Sequence, residues 1–368
     1  VTKCDIPFVN LSLQYEKYRE EILDKVDEIS RSGQYIGGEE VLKFEKNLAQ
    51  VTGSEFVIAV GNGTDALSLI LKSYNIGKGD EVITAPNSFI ASAGAIADVG
   101  ATPVFCDVGT DYNLDPNKLE LSITSRTKAI IPVHLTGNPV AMDEINGIAK
   151  KYNLIVIEDA AQAIGARYKG NKVGSLGHAA AFSLHPLKNL HLMGDAGFIS
   201  TNDENLYNHI KQRQNHGLKN RDESQFWGQN SRIDALQAAI GNIKIRDFDA
   251  ITQRFCDIGA YYQSMLSAHV QCPVIASHNK PVYHNFVIQS RNRNCLMESL
   301  SKSGVATKIH YPMPLHLMES AKGLGYALGD FPVAEQQSEQ ILSLPIYPEL
   351  TDTQVEYVVE QVKTHTNK

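Results

Sequence analysis

The sequence has one tryptophan in 368 residues, no C-x-x-C pair and no surplus of positive charge. Its five cysteines (Cys4, Cys106, Cys256, Cys272 and Cys295) stand singly. An odd, scattered set is no disulfide framework and offers no zinc-ligand spacing, so the thiols read as idle groups in a reducing compartment. Lys plus Arg number 34 against 41 Asp plus Glu, a formal net charge of −7. That balance speaks against a nucleic-acid binder, which carries a basic surplus, and leaves room for a local basic pocket. No stretch approaches the run of about 18 apolar residues that crosses a membrane. Val1-Thr2-Lys3-Cys4-Asp5 opens no signal-peptide apolar core, so the cytoplasm is the expected location. The 27 glycines and 14 prolines are too few for a collagen-like chain, and 43% apolar residues are too many for a disordered one. There is no P-loop, and no G-x-G-x-x-G either, because Ala66 stands where the third glycine would fall.

What is present is alternation. From about residue 55 to 200, short apolar runs (Val57–Val60, Glu81–Thr84, Pro103–Cys106, Ala129–Val133, Leu154–Ile157, Ala179–Ser183) are separated by helical patterns. The helices are expected over Thr64–Tyr74, Ile90–Val99, Asp115–Ile123 and Met142–Tyr152. Strands that are apolar throughout belong to a mostly parallel sheet covered on both faces, so the fold class is α/β. After Asp203 the pattern changes. A long helix is expected over Asp234–Leu266, bending near Asp247. Strands follow over Val282–Gln289 and Thr307–Tyr311, with helices over Cys295–Ser303, Ala334–Leu342 and Thr353–Thr364. The chain divides into a large domain, 1–245, and a smaller α+β domain, 246–368.

Four of the strands run into polar or glycine residues, and ligands in α/β sheets bind at the carboxyl ends of strands. Gly61-Asn62-Gly63-Thr64 precedes a helix; it is either a phosphate cradle or a tight turn capped by Thr64. Phe89 follows Pro86-Asn87-Ser88. Asp159 ends a buried strand and needs a partner, either the following backbone or a cationic ligand. Lys188 is either a solvated surface lysine or, among the apolar residues before it, a desolvated amine able to form a Schiff base. A phosphate cradle, an aromatic, a strand-end aspartate and a lysine in this order are the parts of a pyridoxal phosphate site.

At this point the chain resembles the DegT/DnrJ/EryC1/StrS aminotransferases over nearly its whole length. The resemblance rests on Ile6–Leu11, Tyr35-Ile36-Gly37-Gly38, Gly61–Leu67, Pro132-Val133-His134-Leu135-Thr136-Gly137 and Glu158–Gly165. It continues in Ser183–Gly197, Gly228–Arg232, Tyr283-His284, His310-Tyr311 and Ser343–Pro348. It implies fold type I, with a seven-stranded, mostly parallel sheet, and pyridoxal 5′-phosphate as cofactor. Lys188 would form the internal aldimine and Asp159 would hold the pyridine nitrogen protonated. Gln162 would bond the phenolic oxygen, Phe89 would stack on the ring, and Gly63, Thr64 and Ser183 would bind the phosphate. Asn230 would reach the phosphate of the neighbouring subunit, making the homodimer part of the site. The implied reaction is ping-pong: L-glutamate leaves its amine on the cofactor, and a keto-sugar, most often linked to dTDP or UDP, then receives it.

Two features depart from the family's usual pattern. Ala196 replaces a glycine in Gly194-Asp195-Ala196-Gly197, and Ser183-Leu184-His185-Pro186-Leu187-Lys188 has a form found in only part of the family. His185, His310, Tyr311, His316 and Arg221, the last in the stretch Asn215–Gln229, are candidates for the acceptor pocket, each with a purely structural role as the alternative. No metal is called for. Two competing readings are a sugar dehydratase, in which the lysine is replaced by histidine, and a cofactor-binding sensor without turnover. The acceptor sugar, its keto position and its nucleotide are not written in these residues.

Overall fold

Apolar, alanine-rich and β-branched runs build the central sheet in the computed structural model, which describes residues 5–366. Residues 1–4, and with them Cys4 and most of the leader reading, lie outside the described residues. The strands are β1 (Phe56–Val60), β2 (Glu81–Thr84), β3 (Thr102–Phe105), β4 (Thr127–Ile131) and β5 (Ile155–Asp159). Two short strands, β6 (Arg167–Tyr168) and β7 (Asn171–Lys172), form a side hairpin before β8 (Ala179–Ser183) and β9 (Gly197–Thr201). Seven of them make one sheet in the order β1-β9-β8-β5-β4-β2-β3. Six run parallel and β9 runs against both of its neighbours, as a mostly parallel seven-stranded α/β sheet should.

Strand residues alternate between faces, and both faces are covered. Val57, Ala59, Ala180 and Phe182 enter one core with Phe44, Leu48 and Ile240 from flanking helices. Ile58, Val60, Ala179 and Ala181 enter the opposite core with Leu67, Ile70 and Leu71 of the helix Gly63–Ser73. Phe182 and Phe198 are direct cross-strand partners, and their rings stack at 4.3 Å between centroids and 4° between planes. The helices Leu11–Ser32 and Glu39–Thr52, which lie ahead of the alternating region, add cover to the first core.

The expected long helix runs Ala235–Lys244, breaks in a 3-10 turn at Ile245–Asp247, and resumes over Phe248–Leu266. Beyond it lies a second core around Tyr262, Phe286, Leu300 and Val358. The two bodies interlock. Ile6 pairs with Val305 and sits in the second core, whereas Leu315, Phe331 and Ala334 pack beside Ile83 and Phe105 of the sheet.

Three expectations in this half are corrected. After the short β10 (Asn279–Lys280), the strand expected from Val282 begins only at Phe286, giving β11 (Phe286–Gln289), because Tyr283 has a left-handed backbone (φ 47°). The helix expected through Leu342 ends at Gln340, and Ile341–Leu344 forms β12, antiparallel to β11. Thr307–Tyr311 is not a strand; only Lys308 pairs, with Ser343.

A buried carboxylate fixes the carboxyl end of the sheet. Glu158 is fully buried, and its oxygens accept from Gly174 N–H (3.0 Å), Leu176 N–H (2.8 Å) and Gly177 N–H (2.8 Å). His134 Nδ1 accepts from Val140 N–H (3.1 Å), so the ring proton sits on Nε2 and donates to Glu158 (3.0 Å). Removing this acceptor orphans four buried donors. Glu158→Ala is expected to cost about 3–5 kcal/mol, read as a lowered unfolding midpoint in urea.

Candidate active site

The carboxyl ends of β1, β2, β5 and β8 open on one cavity of about 730 Å³, within the range of about 300–1,000 Å³ typical of ligand sites. Gly63, Thr64, Phe89, Asp159, Gln162, Ser183, His185, Lys188, His310 and Tyr311 all line it. The sequence-derived candidates are thereby brought together, with three exceptions. His316 is buried outside the cavity and pairs with Glu335 (2.9 Å). Arg221 and Asn230 are exposed and lie outside their own chain's cavity.

Asp159 is held rigidly at the end of β5. Its N–H donates to Pro132 C=O (2.9 Å) and its C=O accepts from His134 N–H (3.1 Å). The residue is 5% exposed, and its carboxylate accepts from the Ser92 hydroxyl (2.7 Å, Oδ2) and Ala161 N–H (3.2 Å, Oδ1). Ser92 is a site residue that the sequence reading missed; its one signal was a hydroxyl in the first turn of a helix otherwise built of Ala, Ile, Gly94 and the closing Asp98.

Lys188 sits in the loop between β8 and β9. The base of that loop is closed by the Ser183–Gly197 pair and by Leu184 N–H donating to Ala196 C=O (2.8 Å). Among the described residues nothing hydrogen-bonds its amine. Burial pushes the amine down to about 8, with the Asp159 charge opposing. The imidazoles around it are kept neutral by the same desolvation: His191 is pushed down to about 3, His310 to about 4, and His284 well below the usual range. His284, also missed as a cavity residue, bonds through Nδ1 to Asn189 Oδ1 (3.1 Å).

The turn Gly61–Thr64 is capped by Asn62, not Thr64: Asn62 Oδ1 accepts from Asp65 N–H (2.8 Å). Gly63 and Thr64 open the helix, so their N–H groups have no acceptor within it. A Cβ on Gly63 would come within 3.0 Å of Ser183 Cβ, and one on Gly197 within 2.5 Å of the Asn62 backbone. Both glycines are therefore required by close approach. Ala196, the departure from the usual pattern, is buried in the core beside them, where its methyl is accommodated.

Gln162 has a fixed orientation. Thr136, itself at φ 58°, donates its N–H to Gln162 Oε1 (2.7 Å), which turns Nε2 toward the cavity, where it donates to Tyr311 Oη (3.4 Å). Tyr311 is pushed up to about 12 by burial and by Asp159, so it stays a phenol. Phe89 is 53% exposed, an uncovered ring on the cavity wall, 5.7 Å from the Tyr311 ring.

These features fit pyridoxal phosphate. A desolvated amine without a partner, an anchored carboxylate, an uncovered aromatic face and a helix start with free N–H groups behind a glycine that admits no side chain are what the group requires. Among the described residues no cluster of His, Cys, Asp or Glu could hold a metal ion.

The model of the DegT/DnrJ/EryC1/StrS aminotransferase family matches residues 16–363. The chain is 44% identical to a protein of Aneurinibacillus thermoaerophilus named dTDP-3-amino-3,6-dideoxy-alpha-D-galactopyranose transaminase, over 98% of this chain and 99% of the other. It is 42% identical to a Geobacillus stearothermophilus protein named pleiotropic regulatory protein, over 97% and 98%. The crystal structure of S. venezuelae DesV in complex with a ketimine intermediate superposes with a TM-score of 0.97 at 37% identity, covering 99% of both chains.

The depressed Lys188 gives a pH prediction for the protein without cofactor. Reductive methylation of Lys188, followed by mass spectrometry, is expected to accelerate through pH about 8 as the amine loses its proton. Because Asp159 raises the value, Asp159→Asn is expected to move the midpoint to lower pH; a midpoint at the ordinary lysine value would show a solvated amine.

Proposed function

Since the chain belongs to the DegT/DnrJ/EryC1/StrS aminotransferase family, we propose that it transfers an amine from L-glutamate to a nucleotide-linked keto-sugar. It is a pyridoxal phosphate-dependent aminotransferase. The observation that carries the reading is the unbonded, desolvated amine of Lys188 in one cavity with Asp159. The bound cofactor supplies an electron-withdrawing ring that acidifies the carbon next to the transferred nitrogen.

The chain's own residues do the rest. Asp159, fixed by Ser92 and Ala161, would keep a proton on the ring nitrogen. Gln162 would present its Nε2–H to the phenolic oxygen, since Oε1 is taken by Thr136. Phe89 would cover the ring face, and the N–H groups of Gly63 and Thr64 with the Ser183 hydroxyl would hold the phosphate. Lys188, pushed down to about 8, has roughly a tenth of its amine unprotonated at pH 7, far more than an ordinary lysine. It would anchor the cofactor, and once released it would carry the proton between the substrate's Cα and the neighbouring cofactor carbon as base and then acid.

Three observations support the sugar acceptor and the dimer. The Aneurinibacillus relative is named for a dTDP-linked amino-sugar. Among the described residues no arginine lines the cavity, whereas a substrate with a diphosphate needs cations. Exposed cations lie nearby in sequence, in the segment that holds Lys219, Arg221 and Arg232. Asn230 and Arg232 are hydrogen-bonded to each other (3.0 Å) and lie outside their own cavity. We place them at the site of a second copy, with Asn230 reaching the phosphate there. The four described cysteines are free, which suits a cytoplasmic reaction. Among the described residues no helix is long and apolar enough to cross a membrane.

Protein incubated with pyridoxal phosphate and L-glutamate is expected to release 2-oxoglutarate. Lys188→Ala should lower turnover by at least about 10³-fold while still binding the cofactor noncovalently. A dehydratase would act on the sugar without consuming glutamate. Bound cofactor with no amine exchange in the wild type would favour a regulator, as the Geobacillus relative is named.

The shared site has its own test. Mixed dimers of Lys188→Ala and Asn230→Ala subunits should regain one site of wild-type cofactor affinity, because one site then receives both native residues. Self-contained subunits would leave one Lys188→Ala site, which binds the cofactor only noncovalently, and one Asn230→Ala site, about 10–100-fold poorer in cofactor affinity, with no wild-type site.

A further inference from the structure

The chain around Asn230 faces two ways. Asn230 bridges Asn215 in extended backbone, and the side chains that follow alternate. Ser231 and Ile233 are buried, whereas Asn230, Arg232 and Asp234 are exposed. The inward hydroxyl is fully engaged. Ser231 is 3% exposed, its Oγ accepts from Gly61 N–H (3.0 Å), and its O–H donates to Asp65 Oδ2 (2.6 Å). Gly61 and Asp65 flank Gly63 and Thr64, whose N–H groups open the helix beside the cavity. Ser231 is thus fastened to both sides of its own subunit's phosphate cradle. The fit is close: a Cβ on Gly61 would come within 3.1 Å of Asp65 Oδ2 and 3.3 Å of Ser231 Oγ.

The outward side chains are held as well. Asn230 Oδ1 accepts from Arg232 Nε–H (3.0 Å), and Arg232 Nη1–H donates to Asn215 Oδ1 (3.0 Å). Successive residues of one extended segment therefore serve different sites. Ser231 braces the cradle of its own chain, and Asn230 is the group assigned above to the phosphate of the second copy.

We propose that Ser231 is a positioning residue for both phosphate sites of the dimer, acting on its own through Gly61 and Asp65 and on the partner's through Asn230, so that the two sites bind cofactor cooperatively. The inference rests on the shared-site reading above. When phosphate in one site engages the partner's Asn230, it orders the segment that also carries the partner's Ser231. Through that hydroxyl the partner's own cradle is fixed before its phosphate arrives. The second binding event then has less left to order. The two-fold relation makes the effect mutual, as linkage requires.

The test is a binding isotherm, independent of turnover. Pyridoxal phosphate is titrated by calorimetry into the full-length dimer stripped of cofactor. A coupling of about tenfold between the sites gives a Hill coefficient of about 1.5. In Ser231→Ala the Hill coefficient should fall to about 1, and the mean affinity by about 3–10-fold. Heterodimers of wild-type and Ser231→Ala subunits, isolated through two different affinity tags, separate positioning from local support. Both of their sites should be weakened, because the substituted subunit loosens its own cradle and misplaces the Asn230 it lends. A hydroxyl that supports only its own subunit leaves one site at wild-type affinity, and that result overturns the inference. So does non-cooperative binding by the wild type, a measurement that needs no variant to fold. Self-contained subunits in the Lys188→Ala and Asn230→Ala mixture overturn the shared-site reading, and this inference with it; a shared site without cooperativity overturns this inference alone.

Discussion

A lysine amine withdrawn from water without a hydrogen bond is the constraint on which this site is built. Removing a cation from solvent is costly, and the usual relief is to shed the proton or to find an anion. Both operate on Lys188: burial drives the proton off, and the Asp159 carboxylate restores part of the preference for it. The balance leaves a nucleophile that is partly free near neutral pH. The surrounding imidazoles serve the same end, since His191, His284 and His310 stay uncharged and add no fixed cation beside the amine.

Glu158 and Asp159 show how one strand end supplies both stability and chemistry. They are adjacent, so the pleat sends their side chains to opposite faces. Glu158 is saturated by three backbone N–H groups and His134. Asp159 takes one hydroxyl and one N–H and still borders the cavity. The first carboxylate clamps the segment 174–177 and the strand end; the second is held still by that clamp and remains available to a ligand. Stiffness around a site and reactivity within it come here from the same dipeptide.

Much of this was legible in residue order. Apolar runs placed the strands, and polar residues at strand ends placed Asp159, Gln162, Ser183 and Lys188, because a doubly covered sheet leaves its carboxyl edge as the place for polar groups. The break at Asp247 was legible as a change of pattern. What failed did so for tertiary reasons. Ile341–Leu344 follows a helical run without punctuation, and becomes a strand because β11 offers it a partner. His316 looked like a site residue beside His310 and Tyr311, yet Glu335, nineteen residues on, draws it into the core (2.9 Å). Ser92 lies 67 residues before Asp159, and no local pattern announces such a pair. The Asn62 cap and the Thr64 cap are equally good from sequence; geometry selects the first.

The one reversed strand has a consequence for folding as well as for architecture. Had β9 run parallel to β8, the chain after Lys188 would have had to travel to the opposite edge of the sheet before re-entering, roughly 15 Å along a five-residue strand. Because it turns back at once, residues 184–196 form a tethered loop whose two stems are hydrogen-bonded side by side. Closing a loop this short sacrifices little chain entropy. The amine is therefore positioned by neighbours in sequence and in the ladder.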